Sequence, residues 1–228
     1  MCVRYSLYDL DTVLAAIARA LGYDLAAPAS AKARYNVTLT SEMPVVALAS
    51  GKPEARGMRW GFGSPHAKTL LPNAKAETVA TLPTFKESVA RRRCLVPANG
   101  FYEWKEEGSV KLPHLFTLRG DEPFAFAGIW EPPARDLPET FCILTTTPNE
   151  RVAAIHNRMP VILTVETMSR WIGDRPLPDS ELRSLTQPLA ADRMTVRPVS
   201  RFVSSTRNEG PQCLAPPDEP PPELPLGS

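Results

Sequence analysis

Short runs with two-residue alternation, rather than long helical repeats, dominate this chain of 228 residues. They favour strands, and no regular alternation of strand and helix accompanies them. We therefore predict an α+β fold, in which a single domain has a mostly antiparallel, barrel-like sheet core and several flanking helices. The candidate strands are CVRYSL, YNVTL, PVVAL, RGMRWGF, CLVPA, FYEWK, HLFTL, FAFAGIW, FCILTTT and MTVRPVS.

The clearest helical pattern follows the first strand. Asp9 or Asp11 can cap it, apolar residues then recur at helical spacing, and Gly22 ends it. Asn73 follows a proline-containing stretch and is expected in or beside a loop. Further helices are predicted over residues 84–92, 148–154, 167–172 and 180–185.

The C-terminal end differs in composition from the rest. Many of the 25 prolines lie after Gly210, in GPQCLAPPDEPPPELPLGS, which lacks apolar periodicity. We therefore assign residues 1–211 to the folded domain and residues 212–228 to a proline-rich flexible tail. An inert extension is the favoured interpretation of this tail, and a ligand for a proline-binding domain is the alternative.

Composition restricts the compartment and the kind of partner. The formal net charge is +1, so any nucleic-acid contact must come from a local patch. No signal peptide or apolar run of about 20 residues is present, so we expect a cytoplasmic, non-membrane protein, nucleoid-associated if bacterial. We also expect a monomer without metal or organic cofactor. Cysteines occur singly and without a C-x-x-C pair, which argues against disulfides and zinc: Cys2, Cys94, Cys142 and Cys213.

Cys2 directly follows Met1 and combines two nucleophiles if Met1 is removed. The α-amine, with a reference pKa of about 7.7 to 8.0, and the thiol then lie on adjacent carbons. Such a pair captures aldehydes well, because the amine forms an imine and the thiol closes it to a five-membered thiazolidine. A chance cysteine is the alternative when this position is considered alone.

Several motifs occur together over almost the whole folded length: MCVRY, RYNVTLTSEMPVV, MRWGF, NAKAET, RRRCLVPANGFYEWK, FAFAGIWE, TTTPNERVAAIHNRMPVIL and RPVS. In this order they resemble the SRAP family, the SOS response-associated peptidase domain. The resemblance implies the SRAP fold and a covalent DNA–protein cross-link that shields abasic sites in single-stranded DNA from strand cleavage. The family has also been associated with a peptidase-like removal of its own first residue.

The resemblance also implies a catalytic set of Cys2, Asn73, Glu103 and His156. Glu103 is similar to the family's acid-base carboxylate, and His156 to a histidine that returns protons. Asn73 is similar to an asparagine that orients the nucleophile. Without the resemblance, Glu103 would be a solvated or arginine-paired strand residue, His156 a structural histidine and Asn73 a loop-former. Alternation along FYEWK places Glu103 on the face opposite to the strand's largest aromatic side chains.

Basic and aromatic residues supply candidate DNA contacts. Guanidinium groups bind phosphate well, and Trp60 is a candidate for stacking on a base, with core packing as the alternative. Lys75 stands where the family usually has arginine, so a phosphate contact there would be less directional. The run RRRC can equally complement a helix end. The candidate phosphate contacts besides Lys75 are Arg4, Arg59, Arg91, Arg92, Arg93 and Arg158.

Other departures from the family pattern concern the expected DNA path. RYNVTLTS lacks the family's proline, WGFGSP replaces a more apolar loop, and Val3 replaces a common glycine beside the nucleophile. Two other functions stay open from the residues alone. One is a peptidase or amidase with Cys2 as an N-terminal nucleophile, and the other is a noncatalytic single-strand binder in which Cys2 is incidental.

Overall fold

The computed structural model describes residues 3–63, 70–134 and 137–217, so Cys2 lies outside the described residues. In chain order the strands are β1 (Arg4–Leu7), β2 (Arg34–Thr38), β3 (Glu42–Ala49), β4 (Lys52–Trp60), β5 (Asn73–Lys75), β6 (Arg93–Ala98), β7 (Gly100–Glu107), β8 (Val110–Leu118), β9 (Phe124–Glu131), β10 (Thr140–Thr146), β11 (Met159–Pro160), β12 (Ile162–Leu163) and β13 (Met194–Pro198). The α-helices are α1 (Leu10–Leu21), α2 (Lys86–Arg91), α3 (Glu150–Ala153), α4 (Met168–Trp171) and α5 (Asp179–Leu185).

A five-stranded antiparallel sheet has the order β13-β8-β7-β1-β2. β1 lies in it beside β7, with Tyr5 opposite Phe101 and Ser6 opposite Gly100. Gly100 is required at this crossing, because a Cβ there would lie 2.7 Å from the Phe116 carbonyl oxygen. The sheet therefore sets the N-terminal strand directly against the strand that carries Glu103.

The second sheet has eight strands in the order β11-β10-β4-β3-β6-β9-β12, with β5 added to β10. β10 runs parallel to β4 and β5, and it also pairs with β9. This extra pairing makes the sheet partly ring-like without closing a barrel. The predicted α+β class with a mostly antiparallel, barrel-like core is confirmed.

The main core lies between the two sheets and α1. Tyr5 contacts Trp60 and Phe126 edge-on, with ring centroids 5.2 and 5.6 Å apart. Phe101 and Phe116 stack at 4.9 Å. Aromatic pairs at these separations add to the stabilisation from burying apolar surface. The core thus holds β1 and β7 together from their inner face.

Helix α1 matches its predicted limits. The Asp9 carboxylate accepts a hydrogen bond from Thr12 N–H, and Gly22 ends the helix in the left-handed region at φ 71°. Its buried face carries the apolar residues that define the sequence pattern, among them Val13 and Ile17. No described helix is long and apolar enough to cross a membrane.

Two segments add to the sequence predictions or differ from them. Asn73 lies beside a loop, as predicted, and it begins the short strand β5, paired with Ile143 of β10, which the sequence does not predict. At the C-terminus, residues 211–214 form a 3₁₀ turn in which Cys213 is fully buried. The packed chain therefore continues beyond the expected boundary at residue 211, and residues 218–228 of the expected tail lie outside the described ranges.

This C-terminal segment, residues 199–215, is called the strap below. It covers the outer face of the five-stranded sheet, where Tyr102 packs with Val203 and Cys213. Val199 N–H donates to the Pro113 carbonyl of β8. Tyr102 and the half-buried Trp104 belong to this outer cluster, whereas Phe101 packs in the main core. The predicted alternation along β7 is thereby confirmed.

Candidate active site

Glu103 and His156 lie close together beside β7, the middle strand of the five-stranded sheet. Glu103 is 3 % exposed on β7, and its Oε1 lies 3.9 Å from His156 Nδ1. His156 follows α3, whose first turn is capped by Asn149 Oδ1 accepting from Val152 N–H at 3.0 Å. His156 N–H donates to the Val152 carbonyl at 2.7 Å. The strand and the capped turn thus bring a buried carboxylate and an imidazole within electrostatic reach.

The His156 imidazole is partly buried and has a backbone partner for Nδ1. Burial lowers the pKa of His156 below its ordinary value of 6.5. Its Nδ1 lies 3.1 Å from both the backbone nitrogen and the carbonyl oxygen of Arg158. The Arg158 backbone can therefore donate to the unprotonated Nδ1 or accept from the protonated one. The ring keeps a backbone partner in either tautomer.

Two adjoining cavities open beside this pair. The first, about 550 Å³, is lined by residues that include Glu103, Trp104, Lys111 and His156. The second, about 760 Å³, shares Trp104 and Lys111 with the first, and Val3 lines it. We call the two cavities together the groove. Continuing the β1–β7 register from Tyr5 and Phe101 toward the N-terminus sets Val3 opposite Glu103. The residue that follows Cys2 therefore lies at the groove.

Asn73 belongs to the neighbouring sheet. It is half-buried on β5, and its register partner on β10 is Ile143. Two residues further along β10, the carbonyl of Thr145 accepts a hydrogen bond from the Arg158 guanidinium at 2.6 Å. Arg158 in turn follows His156 by two residues. β10 thus connects the strand of Asn73 with the segment that carries the imidazole.

The described cysteines are poor candidates for a nucleophile. Cys94, Cys142 and Cys213 are free thiols buried in the fold. Burial raises the pKa of Cys94 and Cys142 far above its usual range and that of Cys213 to about 11. Among residues 3–63, 70–134 and 137–217, no group of three or more His, Cys, Asp or Glu side chains could hold a metal ion.

The family model for the SOS response associated peptidase (SRAP) matches residues 1–206 of this chain. The chain belongs to the SRAP family. The predicted resemblance is therefore confirmed over nearly all of the folded length.

Several relatives share the SRAP domain. The chain is 35 % identical over 189 residues to the abasic site processing protein YoqW of Bacillus subtilis, covering 79 % of this chain and 84 % of that protein. It is 27 % identical to the abasic site processing protein YedK of Escherichia coli, covering 95 % and 100 %. Identity to the abasic site processing protein HMCES of Gallus gallus is 32 %, covering 70 % and 56 %.

A solved structure from Bacteroides thetaiotaomicron has the same fold. It superposes with a TM-score of 0.78 at 24 % identity, covering 94 % of this chain and 99 % of that one. At this identity the likeness concerns the fold alone.

Arg4 lines the groove of this SRAP domain, but its guanidinium is held from within. Arg4 is 8 % exposed, and its Nη1 donates to Asn36 Oδ1 at 2.8 Å and to the Val203 carbonyl at 2.7 Å. The guanidinium carbon lies 5.4 Å from the centre of the Trp104 ring. Its role as a phosphate contact stays a prediction, and the structure adds a set of internal partners.

The other predicted phosphate contacts are not among the described residues that line the groove. Arg158 forms a two-pronged ion pair with Glu77, at 2.6 and 2.9 Å. Arg59, half-buried on β4, and Lys75, exposed on β5, belong to the eight-stranded sheet and lie outside the described linings of both cavities. Arg158 must therefore exchange a carboxylate for a phosphate if it binds DNA.

Two of the predicted DNA contacts are structural residues. Trp60 is fully buried and donates from Nε1 to the Pro72 carbonyl at 2.9 Å, so it has no exposed ring face on which a base could stack. The alternative of core packing holds for it. Arg93 is 3 % exposed and donates to the carbonyls of Val89, Ala90, Trp171 and Arg175. It therefore joins α2 to the segment after α4 and cannot contact DNA.

The remaining members of the RRR run face solvent or acidic partners. Arg91 is exposed on α2 and pairs with Glu87. Arg92 pairs with Glu131 at 2.8 Å. Arg91 thus lies in the last turn of α2, as the helix-end interpretation predicts, and both arginines also have carboxylate partners.

Sequence reasoning missed three residues that line the groove and one behind it. Trp104 and Lys111 line both cavities, and Arg201 is an exposed cation in the lining of the second. Asn36 is fully buried behind Arg4. The signal available in the sequence was a polar asparagine in the middle of the strand RYNVT, where a buried amide requires partners on several sides.

Proposed function

We propose that this SRAP-family chain processes abasic sites in DNA by capturing them covalently in single-stranded DNA through Cys2. One observation carries the proposal. The groove has the Glu103–His156 pair in its first cavity and Val3, the residue after Cys2, in the adjoining one. The relatives named as abasic site processing proteins support the same substrate.

The aldehyde of the ring-opened abasic sugar is the electrophile. After loss of Met1, the Cys2 α-amine adds to the sugar C1′, and the resulting carbinolamine loses water to give an imine. The Cys2 sulfur then adds to the same carbon while its proton passes to nitrogen, which closes the thiazolidine. The net change is one aldehyde plus one aminothiol giving one ring and one water, with no oxidant or reductant.

Glu103 and His156 can divide the proton transfers of this sequence. Opening of the sugar hemiacetal needs a proton at the ring oxygen and removal of one from the C1′ hydroxyl. The buried carboxyl group of Glu103 is proposed to supply the first, and the His156 imidazole, with its lowered pKa, to accept the second. Asn73, a neutral amide, is proposed to orient the amine without changing its charge.

We expect the groove to hold a single strand through one aromatic and two basic side chains. Trp104 is half-buried in the shared wall, so part of its ring can meet a base next to the lesion. Lys111 and Arg201 lie along the same wall and can contact phosphates. Lys111 is also paired with Glu106 at 2.9 Å, which keeps local charge balanced until DNA arrives.

A denaturing-gel assay tests the proposal. Purified protein, shown by mass to lack Met1, is mixed with a single-stranded oligonucleotide that contains one abasic site. We expect a band of reduced mobility that survives denaturation. It should be absent with intact DNA, with the abasic site reduced to its alcohol, and with Cys2→Ala. No shifted band with the trimmed protein would contradict the proposal, and cleavage of an amide substrate by the same protein would favour the amidase alternative.

A further inference from the structure

The strap is fastened to the five-stranded sheet through one buried side chain. Asn36 of β2 is fully buried. Its Nδ2 donates to the carbonyls of Val203 at 3.3 Å, Ser205 at 3.0 Å and Asn208 at 2.7 Å. A buried amide held on this side has a fixed orientation, because rotating it would place its oxygen against three carbonyl oxygens.

The other end of the same amide holds Arg4. With Nδ2 fixed by the strap, Asn36 Oδ1 points at Arg4 and accepts from Nη1 at 2.8 Å. Nη1 also donates to the Val203 carbonyl, one of the acceptors of Asn36. Arg4, Asn36 and Val203 thus form a closed triangle of hydrogen bonds. A charged donor makes the two bonds of Arg4 stronger than neutral ones.

This triangle restrains the first residues of the chain. β1 is only four residues long, and its pairing with β7 is described at Tyr5 and Ser6. The Arg4 side chain is therefore a restraint on the backbone that leads to Val3 in the groove. The strap also holds the groove wall, because Trp104 Nε1 donates to Ser204 Oγ at 3.0 Å.

We propose that Asn36 is a positioning residue for covalent capture. It uses the strap to orient its own amide, and through Arg4 it fixes where the N-terminal nucleophile meets the Glu103–His156 pair. This inference rests on the proposed function. It assigns the strap and β2 a part in the reaction although Asn36 itself contacts neither DNA nor a reacting atom.

Two substitutions distinguish the contact of the Asn36 amide with Arg4 from its contacts with the strap. Asn36→Asp keeps an oxygen acceptor for Arg4 and loses the donors to the strap. Asn36→Leu has a side chain of similar size to asparagine, and it loses both the acceptor for Arg4 and the donors to the strap. Capture is followed as a function of abasic-DNA concentration, which gives the rate constant at saturation and the concentration that gives half of it. Each protein is assayed well below its measured melting temperature.

We expect Asn36→Leu to lower the saturating rate constant by roughly ten- to hundredfold, as a small displacement of a reacting group does. The half-saturating concentration should stay within about twofold, because Asn36 does not face the groove. We expect Asn36→Asp to lower the saturating rate by about three- to tenfold, less than Asn36→Leu, because Arg4 keeps its acceptor while the strap contacts that orient this acceptor are lost.

Val89→Ala serves as the stability control. Val89 is buried on α2, remote from the groove lining, so this substitution should lower the melting temperature and leave the saturating rate unchanged. If Asn36 had only a structural role, the saturating rate constants of Asn36→Leu, Asn36→Asp and Val89→Ala would all change in line with their melting temperatures. Equal rates for Asn36→Leu and the unsubstituted protein, or an effect confined to the half-saturating concentration, would overturn the inference.

If Asn36→Leu does not fold, Glu209→Gln tests the positioning role of the strap instead. Glu209 fastens the strap from its exposed side, with Oε2 accepting from Arg34 Nε at 2.7 Å and Oε1 accepting from Tyr35 N–H at 2.5 Å. Loosening this contact should lower the saturating rate by about threefold, and an unchanged rate would then contradict the inference. Failure of the unsubstituted protein to capture abasic DNA would instead contradict the proposed function.

Discussion

Glu103 Oε1 and His156 Nδ1 lie 3.9 Å apart, although one belongs to a strand of the five-stranded sheet and the other follows a capped turn 53 positions later in the chain. The carboxylate is almost fully buried, whereas the imidazole keeps contact with solvent. Two proton-exchanging groups in unlike surroundings can take opposite parts in one reaction.

Glu103→Gln should slow capture far more than it weakens binding. Glutamine keeps the size and a hydrogen-bonding carbonyl but cannot transfer a proton, so we expect the saturating rate constant to fall by about 100-fold or more. Binding of intact single-stranded DNA, measured by fluorescence anisotropy, should change by less than about twofold, because no cation on the DNA path is removed. Equal losses in both assays would contradict an acid-base role.

Protonation of His156 should lower the rate constant of capture at acidic pH. Burial lowers the pKa of His156 below 6.5, so the imidazole is neutral at pH 7. The rate constant should therefore be lost as pH falls through the folded pKa, below 6.5, and His156→Gln should be slower and lack this fall. All other titrating groups are common to both proteins, so the difference between the two pH profiles isolates the contribution of His156. If the rate constant of His156→Gln fell in the same way at acidic pH, His156 could not be the group whose protonation causes the fall.

Glu77 should compete with DNA for Arg158. Its pKa is lowered by the hydrogen bond from Arg158, so the ion pair persists at neutral pH. In Glu77→Gln we expect intact single-stranded DNA to bind a few-fold more tightly and the salt dependence to steepen by about 0.7 in slope, the contribution of one phosphate contact. Glu87→Gln makes the same charge change beside Arg91 on α2 and is the matched control. Equal tightening in both variants would indicate a general charge effect.

Arg93→Met should destabilise the fold without affecting DNA. Arg93 is buried and serves four backbone carbonyls, which would lose their charged donor. We expect the free energy of unfolding in urea to fall by about 3 kcal/mol. Arg91→Met, two positions away and exposed, should change it by less than about 0.5 kcal/mol. Weaker DNA binding by a fully stable Arg93→Met would contradict the structural role.

Local patterns were sufficient for several elements. Helix α1 was predicted at both ends, because Asp9 and Gly22 are capping residues and act on their immediate neighbours. The alternation along β7 likewise placed Glu103 opposite Tyr102 and Trp104, since side chains of a strand alternate whatever lies beyond it. The proposed catalytic set rests on the resemblance to the family motifs.

Features that depend on contacts between segments distant in sequence could not be predicted from local patterns. The proline-containing stretch before Asn73 predicts a position in or beside a loop, but it does not predict β5, a three-residue strand that exists through its pairing with β10. Trp60 and Arg93 carried side chains typical of DNA contacts, yet the packing of other segments buried both. The strap has little apolar periodicity, and it is held by Asn36 and backbone carbonyls, which leave no sequence pattern.

The most direct measurement is the intact mass of the covalent product formed with a short single-stranded abasic oligonucleotide, with and without borohydride. We expect the mass of the protein lacking Met1 plus the oligonucleotide minus one water, formed without reductant and unchanged by it. A thiazolidine from Cys2 has no double bond for borohydride to reduce. A product of the unsubstituted protein seen only after borohydride treatment, or a product that forms with Cys2→Ala without reductant, would contradict capture by the aminothiol.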